Sequence, residues 1–419
     1  MIKTQFRLVA GRVGAGWSTA GRLTAGMVFG MALFLLAGSA PAVTTDQIAQ
    51  IRGQNLLRDE DMQQVEDFVN ERFTQMSVAQ KPSAVSSLAR QLLENAHSRS
   101  GIDETQTIYH QHYRSAVKSS YKQAYERSSQ DSPPKLIQQV RLAVAVVLAV
   151  SADITLTDDF LVLLTDESPD VRYWAVQGLA APALLDHLTD PDIDQTQRTT
   201  VQQALLGCAR QETSVLVLAQ LAEFATVPDG PANIELLRTI VTARIAMYHS
   251  WIVNNELSDL ALIGSILRAT SENLLGRDEQ AVRQLIVLAA QLYTAAYQRY
   301  EKGMTFTDPQ GKTLQLLSEP SRQALEALLI EGEQRFLRIE GSGRQGRMLR
   351  AFQAQPKRKW SETAAAFNAL AGPNGILNRA YTIYDETNSG PAELPDPPQE
   401  VVARAANLAG LKGNLIGAR

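Results

Sequence analysis

The densest run of like charge in the chain lies between Arg335 and Lys359. Arg335, Arg338, Arg344, Arg347, Arg350, Lys357, Arg358 and Lys359 stand there against a single acid, Glu340, a local net charge of +7. The chain as a whole has 40 basic and 44 acidic residues. A concentrated positive field inside an acidic protein suits an anionic partner: phospholipid headgroups, a cell-wall polymer or an acidic protein surface. Arg344, Arg347, Arg350, Lys357, Arg358 and Lys359 are therefore the candidate partner-binding residues. The competing reading is a solvated face whose charges pair with acidic helices of the same chain.

Other residues with chemical potential lack the spacing their chemistry needs. Gly341-Ser342-Gly343-Arg344-Gln345-Gly346 has the form GxGxxG. It follows a helix-like stretch, whereas a dinucleotide site needs a strand before it and a βαβ unit around it. Gly311-Lys312-Thr313 resembles the end of a phosphate loop, but Phe306 stands where that loop's first glycine belongs. His110 and His112 on one helix point about 200° apart and do not share an ion. Cys208, the one cysteine, lies in the apolar stretch Ala204-Leu205-Leu206-Gly207-Cys208-Ala209 and reads as an inert buried thiol. No catalytic residue, cofactor or metal site is nominated.

The elements that must carry the basic run are helical. Ala, Leu, Gln, Glu and Arg are abundant, and aromatic residues make up only 6% of the chain. Start signals stand at Ser83, Asp103, Ser168-Pro169, Asp278 and Ser361. Pro133-Pro134, Asp190-Pro191, Pro228-Asp229-Gly230-Pro231 and Gly341-Ser342-Gly343 punctuate the helices. The expected fold is all-α. Residues 390–398 read as a proline-rich linker before a last short helix. The apolar run Leu142–Val150 is too short to cross a bilayer and reads as a buried helix.

The N-terminus reads as an export signal. Lys3, Arg7, Arg12 and Arg22 are its only charges before Asp46. An apolar run of about 14 residues follows, short of the ~20 that span a bilayer as a helix. It closes on Ala40-Pro41-Ala42, the small-x-small pattern of a signal-peptidase site. Cleavage after Ala42 leaves 36 basic against 44 acidic residues, a balance of −8 that disfavours nucleic acid as a partner. The expected location is the periplasm or the exterior, and contact with a membrane arises only if the leader is retained.

Residues 166–180, Asp-Glu-Ser-Pro-Asp-Val-Arg-Tyr-Trp-Ala-Val-Gln-Gly-Leu-Ala, resemble the second half of a HEAT repeat. Val171, Ala175 and Leu179 fall on one stripe, and their small neighbours let another helix approach closely. The resemblance implies that Arg172 reaches an acidic side chain of an adjacent repeat. Weaker echoes begin at Val140-Arg141, Arg198 and Val282-Arg283. The resemblance covers residues 131–226 of what reads as an irregular α–α superhelix; it does not account for the long flanking helices at 104–128, 232–256 and 278–302, which suggest irregular α–α hairpins stacked onto the repeat-like part. The resulting organisation is a leader (1–42), an N-terminal helical region (43–130), HEAT-like repeats (131–226), a long-helix region (227–340), a basic segment and helix (341–389), and the linker with its C-terminal helix (390–419).

Two functional expectations follow. The first is a non-catalytic scaffold or binding protein of the cell envelope, since helical repeats leave extended surfaces for partners. The second is an envelope hydrolase: Ser361-Glu362-Thr363-Ala364 with Pro373-Asn374-Gly375 faintly resembles the opening of a lytic transglycosylase module, which implies Glu362 as general acid. That family's Gly-Leu-Met-Gln segment is replaced here by Ile376-Leu377-Asn378. Tyr109, Tyr113, Tyr121 and Tyr125 spiral along one helix and favour packing over sugar stacking.

Overall fold

The computed structural model describes residues 43–416, except 55, 97–103, 128–132, 153, 191, 228–232, 254, 273–278, 310, 342–345 and 385–390. The leader and the start signals at Asp103 and Asp278 lie outside the described residues. Residues 43–419 form one compact unit.

The unit is all-α. Its helices are α1 (Thr45–Arg52), α2 (Asp59–Ser77), α3 (Pro82–Ala96), α4 (Glu104–Arg127), α5 (Pro134–Val150), α6 (Thr157–Leu163), α7 (Pro169–Leu179), α8 (Pro182–Thr189) and α9 (Gln195–Gln211). They continue with α10 (Val215–Ala225), α11 (Asn233–His249), α12 (Leu257–Ser271), α13 (Glu279–Thr305), α14 (Glu319–Ile339), α15 (Met348–Gln353), α16 (Pro356–Ala371), α17 (Ile376–Tyr381) and α18 (Gln399–Ile416). Among the described residues, one isolated β-bridge joins Thr307 and Thr313, and no helix is long and apolar enough to cross a membrane.

Helices two apart along the chain, or three apart in the case of α7 and α10, pack on one another, the signature of stacked helical hairpins. One layer runs α3 on α5, α5 on α7, α7 on α10, α10 on α12 and α12 on α14. In the other layer α2 packs on α4, α9 on α11, and α11 on α13. The long helices α4, α11 and α13 are thus members of the same stack as the repeat-like segment. The weaker echoes divide between the layers. Arg141 on α5 and Arg172 on α7 occupy equivalent places, whereas Arg198 on α9 and Arg283 on α13 lie in the opposite layer.

Local sequence explains the hairpins. Pro134, Pro169, Pro182 and Pro356 each stand in the first turn of a helix, where the missing N–H costs nothing. Asp194 caps α9 by accepting from the Thr196 N–H, and Ser318 caps α14 by accepting from Ser321. On α7, Val171, Ala175, Val176 and Leu179 are fully buried. Gly178 lets the ring of Phe160 on α6 lie directly on the helix, where a Cβ would sit 2.2 Å from the ring. Val140, Val144, Val147 and Leu148 bury α5 as its apolar run requires.

The tyrosines of α4 are packing residues. Tyr109 and Tyr113 are buried and donate to the carbonyls of Asn95 and Leu92 on α3. Tyr121 donates to Asp159 at 2.5 Å, and Tyr125 to Asp166. Ser361 does not start a helix. α16 begins at Pro356 behind Gln355, and the Ser361 hydroxyl turns back to the Arg358 carbonyl.

Candidate partner-binding surface

Arginines divide the molecule into two kinds of site. In the stacked hairpins Arg141, Arg172 and Arg244 are consumed internally, whereas Arg210 and Arg268 lie exposed. Arg172 on α7 grips Glu212 with Nε at 2.6 Å and Nη2 at 2.7 Å, and its Nη1 donates to the carbonyls of Asp166 and Glu167. Glu212 precedes α10, so the contact implied for Arg172 is made to the next hairpin. Its carboxylate also accepts from the Ser214 N–H. The same construction appears one hairpin earlier: Arg141 on α5 lies 3.3 Å from Asp166, which accepts from the Ser168 N–H. Each acid fixes the start of one helix and receives an arginine from its neighbour.

A third pair is fully buried. Arg244 on α11 donates to both oxygens of Asp259 on α12, at 2.5 and 2.8 Å, and Tyr248 donates to the same carboxylate at 2.8 Å. Both charged side chains are about 1% exposed. Such a pair depends on near-complete hydrogen bonding, because its desolvation cost is large.

Along the basic run the arrangement is mixed. Arg335 is drawn inward: Nη1 donates to the Leu260 carbonyl at 2.6 Å and rests against Gly264 of α12. Lys359 lies 3.2 Å from Glu326 of α14 and over the ring of Phe352. Glu326 also receives Arg322 and the Tyr300 hydroxyl. Arg338, Arg347, Arg350 and Arg358 expose their side chains. Arg344 lies outside the described residues, as does the Lys357 side chain.

Arg347 and Arg350 are positioned by a buried acid. Glu333 on α14 is 3% exposed and accepts from the N–H groups of Arg347 and Met348, at 2.9 and 2.8 Å. This fixes the start of α15 and, with it, the place of Arg347 and Arg350. Burial pushes the Glu333 carboxyl up, against the two N–H donors and the Arg347 charge that pull it down. Arg379 on α17 joins the group. It is pinned by a bond to the Asn374 carbonyl at 2.7 Å, and with Arg347, Glu333, Leu337 and Leu370 it lines a cleft of about 230 Å³. Charge counting along the sequence misses Arg379, because it returns to the basic surface only through the turn after α16.

The remaining candidates are accounted for locally. Gly311 (φ 82°) turns a tight loop in which the Lys312 N–H donates to the Asp308 carboxylate and the Asp308 N–H to the Lys312 carbonyl. Gly341 (φ 60°) closes α14. His110 is buried edge-on to Tyr109, while His112 faces Glu66 across 3.8 Å. Cys208 is half-buried, and burial together with Glu212 pushes its thiol up to about 12. Glu362 lies half-buried in the second turn of α16.

No family model matches the chain, and no curated protein sequence matches it.

Proposed function

We propose that the protein is an exported, non-catalytic scaffold of the cell envelope. It is a HEAT-like stack of helical hairpins that holds an anionic protein or envelope component through its basic C-terminal surface. The observation that carries this reading is the contrast in arginine use. The stack pairs Arg141, Arg172 and Arg244 with acids, while Arg338, Arg347 and Arg358 present their side chains to solvent. Repeat stacks suit such a role because their core forms between neighbouring units and leaves the outer faces open to binding. The cationic leader with its Ala40-Pro41-Ala42 site supports export.

The test is a triple reversal, Arg347→Glu, Arg350→Glu and Arg358→Glu. Retention of the tagged protein on envelope extract should fall with the variant. Salt should reduce wild-type retention in the same way, since exposed charges are screened within about 8–10 Å. Unchanged retention and unchanged salt dependence would remove the basic surface from the reading. N-terminal sequencing of envelope-localised protein should begin at Val43, and a retained Met1 would refute cleavage.

A further inference from the structure

The proline-rich segment after α17 is docked rather than free. Residues 391–398 run extended across α13 and the turn between α11 and α12. The indole N–H of Trp251 donates to the Pro395 carbonyl at 3.0 Å. The Leu394 N–H donates to the Gln298 side chain at 2.9 Å, and Lys302 donates to the Leu394 carbonyl at 2.5 Å. Gln298 and Lys302 are one helical turn apart on α13, so they take the N–H and the C=O of the same residue. Lys302 also lies 3.1 Å from Glu393 and 3.7 Å from Asp396. Leu394 is the anchor, with 1% exposure.

This is how a groove reads an extended peptide: main-chain bonds hold the strand, one pocket takes a side chain, and a cation selects acidic flanks. The groove is also built at a cost. Trp251 holds a positive φ of 60° at the end of α11, a conformation that a bulky side chain adopts only when its surroundings impose it. The N–H groups of Trp251 and Ile252 bond back to Tyr248 and Met247, and the Arg299 guanidinium lies 5.2 Å from the indole ring. These contacts hold the indole where it meets Pro395.

The chain's own segment commits one buried side chain to this groove. Leu394 is the only buried residue of 391–398, and the Glu393 and Asp396 side chains are 80 and 95% exposed. Alongside, a cleft of about 610 Å³ runs between Trp251, Arg299, Leu317, Ser321 and Arg404. Ile252, 73% exposed, stands at its rim. Arg299 is 7% exposed, yet its Nε and Nη1 have no hydrogen-bond partner, and Glu256 lies 3.9 Å away.

We propose that this groove is a docking site for an extended, acidic, proline-containing segment of a partner protein with one leucine anchor, and that residues 391–398 occupy it in cis as a weak competitor. The inference is independent of the basic C-terminal surface, and its failure leaves that reading untouched.

The probe is a fluorescein-labelled octapeptide with the sequence of residues 391–398, titrated into the full chain and read by polarisation. Leu394→Asp removes the internal anchor and should bind the peptide about tenfold or more tightly than wild type, because the tethered competitor is lost. Added to Leu394→Asp, Trp251→Phe or Lys302→Met should weaken binding again, and a peptide with alanine at the anchor should not bind. Should circular dichroism show Leu394→Asp unfolded, Leu394→Ala with Glu393→Gln serves in its place. Equal affinity of wild type and released variant, or binding indifferent to Trp251 and Lys302, overturns the proposal. So does a wild-type dimer, seen by light scattering, that Leu394→Asp converts to monomer, since the groove's partner would then be a second copy of the chain.

Discussion

The hairpins from α5 to α12 and the C-terminal part from α14 to α17 put their buried acids to different ends. In the first region every described arginine–acid pair across helices joins a helix to the start of a neighbour: Arg141 with Asp166, Arg172 with Glu212, Arg244 with Asp259. In the second, Glu333 spends its carboxylate on the backbone of Arg347 and Met348, and the side chains of Arg338, Arg347 and Arg358 stay outside. An arginine is structural where the next hairpin offers an acid at its height. It is available where the local acid is already satisfied by main-chain donors. Charge alone does not separate the two cases; the partner of the nearest carboxylate does.

The contrast is broken most severely at the buried pair. Asp259→Ala should cost about 3–5 kcal/mol in urea unfolding, because it strands Arg244 inside the protein. The joint replacement of Arg244 by Met and Asp259 by Leu should recover most of that loss. A small effect of the single change would mean that water reaches Arg244. Leu179→Ala should follow at about 2–5 kcal/mol, the range for a fully buried leucine. A loss below about half a kilocalorie would show that α7 is not the packing helix its stripe describes. Glu212→Gln should cost about 1.5–3 kcal/mol through the weakened Arg172 bonds. Thermal unfolding should place it above Asp166→Asn, because Arg172 meets Glu212 with two short bonds while Arg141 stands 3.3 Å from Asp166.

Much of the helical layout is legible because its cause is local. The stripe Val171, Ala175, Leu179 and the proline at the first position of α7 suffice to place that helix. The Arg172 contact is also foreseeable, from the resemblance of residues 166–180 to a HEAT repeat. Arg244 is not, because a mid-helix arginine in Thr242-Ala243-Arg244-Ile245 looks like any exposed one, and its acid stands in the next helix. The echoes do not share a layer: Arg198 and Arg283 lie opposite Arg141 and Arg172, since an amphipathic stripe does not say which layer it faces. Ser361 has a cap-like context, but Pro356 starts the helix first. Residues 391–398 read as a linker because extended backbone has the same sequence whether docked or free. What docks it is Trp251, Gln298 and Lys302, nearly a hundred residues or more upstream.

The finest test of the comparison lies within one helix. Arg335 and Arg338 both belong to the last turns of α14 and to the same run of charge, yet only Arg335 is engaged with α12. Arg335→Ala removes the bond to the Leu260 carbonyl and the guanidinium packed against Gly264, so it should cost about 1.5 kcal/mol. Arg338→Ala removes an exposed charge that complements the helix C-terminus, and should cost about 0.5 kcal/mol. Binding should show the reverse order: retention on envelope extract should weaken for Arg338→Ala and hold for Arg335→Ala once the protein is folded. If both variants lose stability equally and bind equally, the division between wired and presented arginines fails on the helix where the two kinds meet.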